Sequence, residues 1–289
     1  MKKTTMNKFG GTTRINHDSA DFYNRKLYGS IIQTDDGPEN KLGKNLDRIM
    51  CKSSENLSEI PDSSIHLMIT SPPYNVGKNY DADLDLDEYF KMLDGVFAQT
   101  YRLLVNGGRA CINIANVGRK PYIPYHKFVI DSMIKNRFLM RGEIIWEKGA
   151  GAGTSTAWGS WRSASNPTLR DTHEYILVFS KGSFGRKKEN KKDTITRDEF
   201  LEYTKSVWSF KPESAKKINH PAPFPVELPY RCIQLYSFKG DVIFDPFCGS
   251  GSTGVAAIQS GRHFLLVDKN KDYVKIAKKR IKKLGHSSH

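Results

Sequence analysis

Two short polar segments contain the side chains of this chain that are best placed to do chemistry. The first is Ser71-Pro-Pro-Tyr74, directly after the apolar run 64–70. The Ser71 hydroxyl and the Pro72 carbonyl can accept hydrogen bonds from a planar amine, and such acceptors make a nitrogen whose lone pair is delocalised into a ring a better nucleophile. Pro72 and Pro73 restrict the backbone that carries these acceptors, and Tyr74 can stack on a flat ring. The segment predicts a site for a planar amine, with a plain strand-ending turn as the alternative.

The second segment is Asp245-Pro-Phe-Cys-Gly-Ser-Gly-Ser-Thr-Gly254, which also follows an apolar run. Gly249 and Gly251 allow the backbone to turn tightly and to approach a ligand closely. Asp268 ends the next apolar run, where a carboxylate can accept both ribose hydroxyls of an adenosine. Strand, turn, helix, strand and acid in this order predict a site for an adenosine-type cofactor.

A nicotinamide dinucleotide is the competing ligand for this second segment, because Gly249, Gly251 and Gly254 fit the spacing G-x-G-x-x-G. The Asp-Pro-Phe lead-in and the first segment, which has no role in hydride transfer, favour another adenosine cofactor. Phe247 is predicted to pack on this cofactor. Ser252 or Thr253 is predicted to cap the helix that follows.

Apolar runs and amphipathic stretches alternate along the rest of the chain. The predicted strands cover 64–70, 109–114, 143–146, 174–179, 241–244 and 263–267, and the predicted helices cover 86–105, 124–135, 225–236, a stretch from about 252, and 272–283. Asn106-Gly-Gly108 is predicted to terminate the first helix. This alternation predicts an α/β fold, a Rossmann-like and mostly parallel sheet with helices on both faces.

Composition points to a basic protein that is not embedded in a membrane. The 289 residues carry a formal net charge of +14 and a sequence pI of about 9.5, which favours nucleic acid as a partner. No apolar run approaches the roughly 20 residues that cross a bilayer, and the basic start is not followed by the apolar stretch of a secretory signal. The four cysteines form no close pair, so we expect no metal site, no disulfide framework and a cytoplasmic location.

Over most of residues 46–283 the chain resembles the DNA amino-methyltransferases of restriction–modification systems. The segments that carry the resemblance are Thr70-Ser-Pro-Pro-Tyr-Asn75, the glycine-rich segment 245–254, Leu266-Val-Asp268 and His220-Pro-Ala-Pro-Phe-Pro-Val-Glu-Leu228. Trp158-Gly-Ser-Trp161, Asn166-Pro and Arg170-Asp-Thr-His-Glu174 also resemble family segments. Segment 70–75 precedes segment 245–254 in the chain, and this order is similar to the permuted order of the family's beta group. In that group the region that reads DNA lies between the two.

The resemblance implies a class I methyltransferase fold, S-adenosylmethionine as cofactor and double-stranded DNA as substrate. It implies an N-terminal arm (1–45), two halves of the methyltransferase core (46–180 and 218–289) and a charged target-recognition insertion (181–217). The implied catalytic residues are Ser71, Pro72, Pro73 and Tyr74, and the implied cofactor residues are Asp245, Phe247, Gly249, Gly251, Ser252, Thr253, Asp268, Phe224, Leu228 and Ser53. A cognate restriction endonuclease, and a monomeric or homodimeric state, are further expectations.

One position departs from the family pattern. Members often carry Gly-Asp before the Ser-Pro-Pro-Tyr strand, where the Asp meets the adenine of the cofactor. The matching residues here are Lys52 and Ser53, so adenine is expected to be held by Ser53 or by packing.

The target base is predicted from Ser71. Family members with serine at this position mostly methylate N4 of cytosine, and a serine hydroxyl can both accept from that amine and donate toward N3 of the ring. Adenine offers a comparable acceptor at N1, so methylation of adenine N6 is the alternative. Methylation of RNA or of a protein amide, and a DNA-binding protein without catalysis, are the remaining classes.

Overall fold

The structure is a computed structural model that describes residues 37–74, 85–118, 121–149, 159–213 and 225–285. These residues form eight strands: β1 (Arg48–Cys51), β2 (Ile65–Thr70), β3 (Leu104–Ile114), β4 (Phe138–Glu147), β5 (His173–Lys181), β6 (Val207–Ser209), β7 (Val242–Asp245) and β8 (His263–Asp268). They also form six helices: α1 (Leu86–Leu103), α2 (Tyr125–Lys135), α3 (Arg197–Tyr203), α4 (Glu227–Tyr236), α5 (Ser252–Gln259) and α6 (Lys271–Lys282). Most of the predicted N-terminal arm lies outside the described residues.

The strands form one sheet in the order β1-β8-β7-β2-β3-β5-β4-β6. Neighbours pair in parallel except at β5, which is antiparallel to both β3 and β4. The chain passes from β2 to β3 on one side and from β7 to β8 on the other, so the connections diverge between β7 and β2. Ligands of open α/β sheets bind beyond the carboxyl ends of the strands at such a switch point. The predicted mostly parallel sheet is confirmed.

Helices cover both faces of this sheet, as predicted. Successive residues of a strand point to opposite faces, so Met68 and Ile69 of β2 belong to different core clusters. Met68 packs in the cluster that contains Leu93 of α1 and Val129 of α2. Ile69 packs in the cluster that contains Leu228 of α4, and α5 and α6 contribute to that same cluster.

The first helix begins where predicted and ends before its predicted terminator. Asp85 accepts from the Glu88 backbone N–H while the Glu88 side chain accepts from the Asp85 N–H, so a capping box starts α1. The helix ends at Leu103. The prediction that Asn106-Gly-Gly108 terminates it is wrong: these residues lie inside β3, Gly107 has φ +73°, and the pairing with β2 changes register there.

Three short elements were not predicted, namely β1, α3 and β6. Strands of three or four residues show too little alternation to be recognised in a sequence. Within the predicted insertion, β6 pairs with β4 and forms the edge of the sheet, and its Trp208 is completely buried. The Arg231 guanidinium of α4 lies 5.4 Å from the centre of the Trp208 ring, so this part of the segment packs on the core.

The reversal of β5 decides where residues 181–213 lie. We use "carboxyl edge" for the side of the sheet where β2, β3, β7 and β8 end, and "amino edge" for the opposite side. Because β5 is antiparallel, Lys181 lies at the amino edge, where its ammonium donates to the Leu104 carbonyl at 2.6 Å. Arg186 pairs there with Asp241, directly before β7. β6 then returns the chain to the carboxyl edge, so only the last part of the described insertion reaches that side.

In the part of the chain that the structure describes, no helix has both the length and the apolar composition needed to span a bilayer.

Candidate active site

A cavity of about 560 Å³ opens at the carboxyl edge, where β7 meets β2. All four predicted catalytic residues line it, together with five predicted cofactor residues: Ser71, Pro72, Pro73, Tyr74, Ser53, Phe247, Gly249, Ser252 and Asp268. The two polar segments, far apart in the sequence, therefore share one cavity.

The buried Asp245 carboxylate connects the starts of the two segments. Asp245 accepts from the Thr70 hydroxyl at 2.7 Å, from the Thr253 hydroxyl at 2.6 Å and from the Phe247 backbone N–H at 3.1 Å. Its side chain is completely buried, and burial raises the pKa of this carboxyl to about 6 even though the three donors oppose the shift. Asp245 thus connects the end of β2 to the turn before α5.

Asp268 holds the turn that contains Gly249. One carboxylate oxygen accepts from the Gly249 backbone N–H at 2.8 Å, and the other accepts from the Asn270 backbone N–H at the same distance. Burial raises the pKa of this carboxyl. Each oxygen retains a further lone pair, so a ligand hydroxyl in the cavity can still donate to Asp268.

Arg280 of α6 lies outside the cavity and stabilises the turn that contains Gly249. Its guanidinium donates to the Ser250 carbonyl at 3.0 Å and to the Ser252 hydroxyl at 3.2 Å. The prediction that Ser252 or Thr253 caps α5 is wrong, because the helix begins after Gly251 without a side-chain cap. The Thr253 hydroxyl donates to Asp245 instead, as described above.

Four predicted cofactor residues do not line the cavity: Asp245, Gly251, Thr253 and Leu228. Asp245 and Thr253 are hydrogen-bonded to each other beneath the cavity, and Leu228 packs in the core under α4. Gly251 packs against α6, where an added Cβ would lie 2.9 Å from the Ala277 Cβ. Phe224 lies outside the described residues, as do Asn75 and the first part of the segment 220–228.

A second group of polar side chains lines the cavity around Ser71. The Tyr74 hydroxyl lies 3.3 Å from the Ser71 hydroxyl oxygen and donates to Glu174 at 3.0 Å. The Asn113 side-chain amide donates to Glu174 at 2.5 Å, and Lys148 pairs with the other carboxylate oxygen at 2.5 Å. All five side chains line the cavity.

Asn113, Lys148 and Glu174 were not predicted as site residues. Glu174 is the second residue of β5, and because β5 is antiparallel its first residues lie at the carboxyl edge beside the ends of β3 and β4. Asn113 and Glu174 could have been found in the sequence, because each is a polar residue inside or at the start of an apolar strand. The two strands read Ala-Cys-Ile-Asn-Ile114 and Glu174-Tyr-Ile-Leu-Val-Phe179. A buried polar side chain in such a strand requires partners.

Comparison with known proteins places the chain in a family. A family model described as DNA methylase, for N6 and N4 methyltransferases, matches residues 65–279. The chain belongs to the DNA amino-methyltransferases. This family membership agrees with the predicted resemblance and with the class I methyltransferase fold.

Several relatives match along most of their length. The type II methyltransferase M.MjaI of Methanocaldococcus jannaschii is 29% identical over 81% of this chain and 90% of its own. The DNA adenine methyltransferase YhdJ of Escherichia coli K12 is 29% identical over 80% of this chain and 81% of its own. TTHA0409 of Thermus thermophilus, solved with S-adenosyl-L-methionine, is 29% identical over 84% of this chain and 98% of its own, with a TM-score of 0.67. The cofactor of this DNA amino-methyltransferase is S-adenosylmethionine, as predicted.

Proposed function

We propose that this DNA amino-methyltransferase methylates the exocyclic N4 amine of a cytosine that has been turned out of duplex DNA. One observation carries the proposal: Ser71 and Gly249 line the same cavity, so an amine acceptor and a cofactor turn face a common space. A volume of about 560 Å³ falls within the ~300–1,000 Å³ of cavities that enclose ligands of this size.

We call the part of the cavity around Phe247, Gly249 and Asp268 the cofactor half and the part around Ser71 and Tyr74 the base half. The chemistry of the residues that line the cofactor half fits S-adenosylmethionine. The Asp268 carboxylate is available to the ribose hydroxyls, the half-buried Phe247 ring offers an apolar surface, and Gly249 allows close approach of the backbone. Ser53 lines the cavity, but its hydroxyl already donates to Glu55 at 2.9 Å. This contact favours packing over a strong Ser53 hydrogen bond as the way the adenine is held. The sulfonium of the bound cofactor supplies an activated methyl group.

The base half of the cavity orients the amine and withdraws its hydrogen atoms from the ring plane. The Ser71 hydroxyl and the Pro72 carbonyl accept from the two amine N–H bonds, which localises the nitrogen lone pair toward the cofactor half. Pro72 and Pro73 keep these acceptors from relaxing, and the Tyr74 ring supplies a surface for the base. A base within a duplex must leave its stack to reach such a site.

Cytosine is the favoured base because family members with serine at the position of Ser71 mostly methylate N4 of cytosine, and the Ser71 hydroxyl has the hydrogen-bonding capacity for that base. The Ser71 hydroxyl oxygen accepts from the Asn113 amide at 3.4 Å, which leaves one lone pair for the substrate. Its hydrogen faces the Tyr74 oxygen at 3.3 Å and can rotate from there toward a substrate acceptor. That hydrogen can be donated to N3 of cytosine while the lone pair accepts from the N4 amine.

Adenine N6 is the second candidate. YhdJ, a DNA adenine methyltransferase by name, is 29% identical to this chain. Adenine presents an amine beside the N1 acceptor, so Ser71 can make the same two contacts.

Methyl transfer to unmodified random-sequence duplex DNA tests the proposal. Isotopically labelled S-adenosylmethionine should label the DNA and not protein or RNA, and mass spectrometry of the nucleosides should find N4-methylcytosine. N6-methyladenine in its place would establish the second candidate, and label in RNA or protein alone would refute both. Ser71→Ala and Tyr74→Ala should lower turnover far more than cofactor affinity.

We also propose that target recognition uses the part of segment 181–217 that returns to the carboxyl edge. Pro212 and Glu213 line the cavity there, whereas Lys188 and Lys191 pair with Asp193 and Glu39 outside it. Exchange of residues 210–213 with those of a relative should change the methylated sequence, and unchanged specificity would assign recognition to another part of the chain. A restriction endonuclease of the same specificity is the expected functional partner.

A further inference from the structure

The Glu174 carboxylate is the centre of the polar group in the base half of the cavity. One oxygen accepts from the Tyr74 hydroxyl at 3.0 Å and from the Asn113 amide at 2.5 Å, and the other pairs with the Lys148 ammonium at 2.5 Å. Glu174 is 8% exposed and Asn113 is 1% exposed. Burying a carboxylate is unfavourable unless it is paired and hydrogen-bonded, and here both of its oxygens are satisfied.

We propose that Glu174 and Asn113 are positioning residues for methyl transfer: they fix the Tyr74 ring and the Ser71 hydroxyl in the geometry that receives the target base. The inference rests on the proposed function and adds to it residues that hold the amine-accepting segment in place. Neither residue belongs to the Ser71–Tyr74 segment, and both reach it from the neighbouring strands β3 and β5.

Tyr74 needs such a restraint because the terminal torsion of a tyrosine ring has a broad energy minimum. The hydrogen bond to Glu174 fixes the hydroxyl end of the ring. Burial, and next the Glu174 charge, raise the pKa of Tyr74 well above its usual value, so the phenol keeps its proton and remains the donor. A ring held at both ends offers the base one stacking surface instead of several.

Ser71 needs a restraint for a different reason, since a serine hydroxyl rotates freely about its Cβ–Oγ bond. The Asn113 amide lies 3.4 Å from the Ser71 oxygen and 3.3 Å from the Tyr74 oxygen, so it contacts both residues of the segment. Because Asn113 also donates to Glu174, any movement of the carboxylate is passed to both hydroxyls. A displacement of about 1 Å in a reacting geometry can lower a rate roughly a hundredfold.

Single-turnover transfer of labelled methyl groups to random-sequence duplex DNA tests this inference. Glu174→Gln should lower the transfer rate constant at least tenfold while the dissociation constant for S-adenosylmethionine, measured by calorimetry, changes less than threefold. Glu147→Gln is the matched control: this acid ends β4 at the same edge of the sheet, is exposed and does not line the cavity, so its rate should equal that of the wild type.

A double-mutant cycle separates positioning from a general structural role. Glu174 acts in part through the Tyr74 hydroxyl, so Glu174→Gln should slow transfer several-fold less in a Tyr74→Phe background than in the wild type. Equal fold-changes in the two backgrounds would overturn the inference. If Glu174→Gln does not fold, Tyr74→Phe alone removes the same contact without altering the buried charge, and an unchanged rate would be equally decisive.

The transfer rate of the wild-type protein distinguishes failure of the proposed function from failure of the positioning inference. No transfer to DNA by the wild-type protein would refute the proposed function, and the positioning inference with it. Normal wild-type transfer together with an unaffected Glu174→Gln variant would refute the positioning inference alone.

Discussion

Thr70 and Asp245 lie 175 positions apart in the chain, and the Thr70 hydroxyl donates to the Asp245 carboxylate at 2.7 Å. Thr70 immediately precedes the Ser71–Tyr74 segment, and Asp245 opens the glycine-rich segment. This buried hydrogen bond, together with the pairing of β2 with β7, fixes the relative position of the two segments that meet in the cavity. Its partner on the second carboxylate oxygen, Thr253, extends the connection into α5.

Removal of the Thr70 hydroxyl should destabilise the protein. In Thr70→Val the shape is nearly retained, but one buried oxygen of Asp245 loses its strongest neutral donor, which costs about 1–3 kcal/mol of unfolding free energy. Urea denaturation of Thr70→Val and of the control Thr70→Ser, which keeps the hydroxyl, measures this cost. Equal stability of Thr70→Val and wild type would show that the hydrogen bond contributes nothing.

Asp245 should make the stability of the protein depend on pH. Its pKa is about 6 in the folded state against 3.8 for an ordinary aspartate, so between about pH 4 and 6 the folded state binds more protons than the unfolded state. The contribution of this group to stability is greatest below about pH 4 and declines as the pH rises to 6.

Asp245→Asn removes this titration and keeps a side chain of the same shape. The unfolding free energy of the wild type minus that of the variant should fall between pH 4 and pH 6 and level off above it. Urea denaturation at four pH values measures the difference, in which the other titrating groups cancel. A difference that rises with pH would mean that the folded state lowers this pKa.

Gly251→Ala should destabilise the turn more than an equivalent substitution elsewhere. Gly251 and Gly240 both have φ +81°, where any Cβ is strained by roughly 1–2 kcal/mol. Only at Gly251 does the new Cβ also collide, 2.9 Å from the Ala277 Cβ, whereas nothing lies within 4 Å of it at Gly240. Thermal unfolding should therefore show a larger loss for Gly251→Ala than for Gly240→Ala, and equal losses would argue against close packing of the turn on α6.

Asp268→Ala should weaken cofactor binding by roughly 10- to 100-fold. The variant loses the charge-assisted hydrogen bonding to the ribose, which contributes about 1.5–3 kcal/mol in total. It also loses the acceptor that holds the Gly249 N–H at 2.8 Å. Titration calorimetry with S-adenosylmethionine measures the affinity. Asp272→Ala, which removes an exposed acid from the start of α6, is the control, and similar affinities for both variants would remove Asp268 from the site.

The exposed Arg162, in the connection between β4 and β5, should contact DNA. This connection lies at the carboxyl edge, and Arg162 is exposed in the part of it that the Gly159–Pro167 bridge closes. Arg162→Gln should weaken binding to random-sequence duplex DNA and lower the slope of log affinity against log salt by about one. Lys188→Gln, outside the cavity, removes the same charge as a control, and an equal effect of both would indicate binding without a preferred face.

The parts of the fold that follow from local pattern were predictable. The strand 64–70, the helix that starts at Leu86 and the strand–turn–helix around Gly249 are each encoded by neighbouring residues, and the structure places them within a few positions of the prediction. The bulge at Gly107 and the short strand β6 were not predictable, because each exists only where another strand supplies its hydrogen bonds.

The amino-acid sequence alone determined the fold class, the family and the two segments that line the cavity, because these depend on residue types at fixed local spacing. The tertiary structure alone decided that Asp245 lies beneath the cavity and that Glu174, Asn113 and Lys148 surround Ser71 and Tyr74. The physical reason is the order and direction of the strands. β5 runs against its neighbours, and this reversal brings its first residues to the carboxyl edge, where the ends of β2 and β3 already lie.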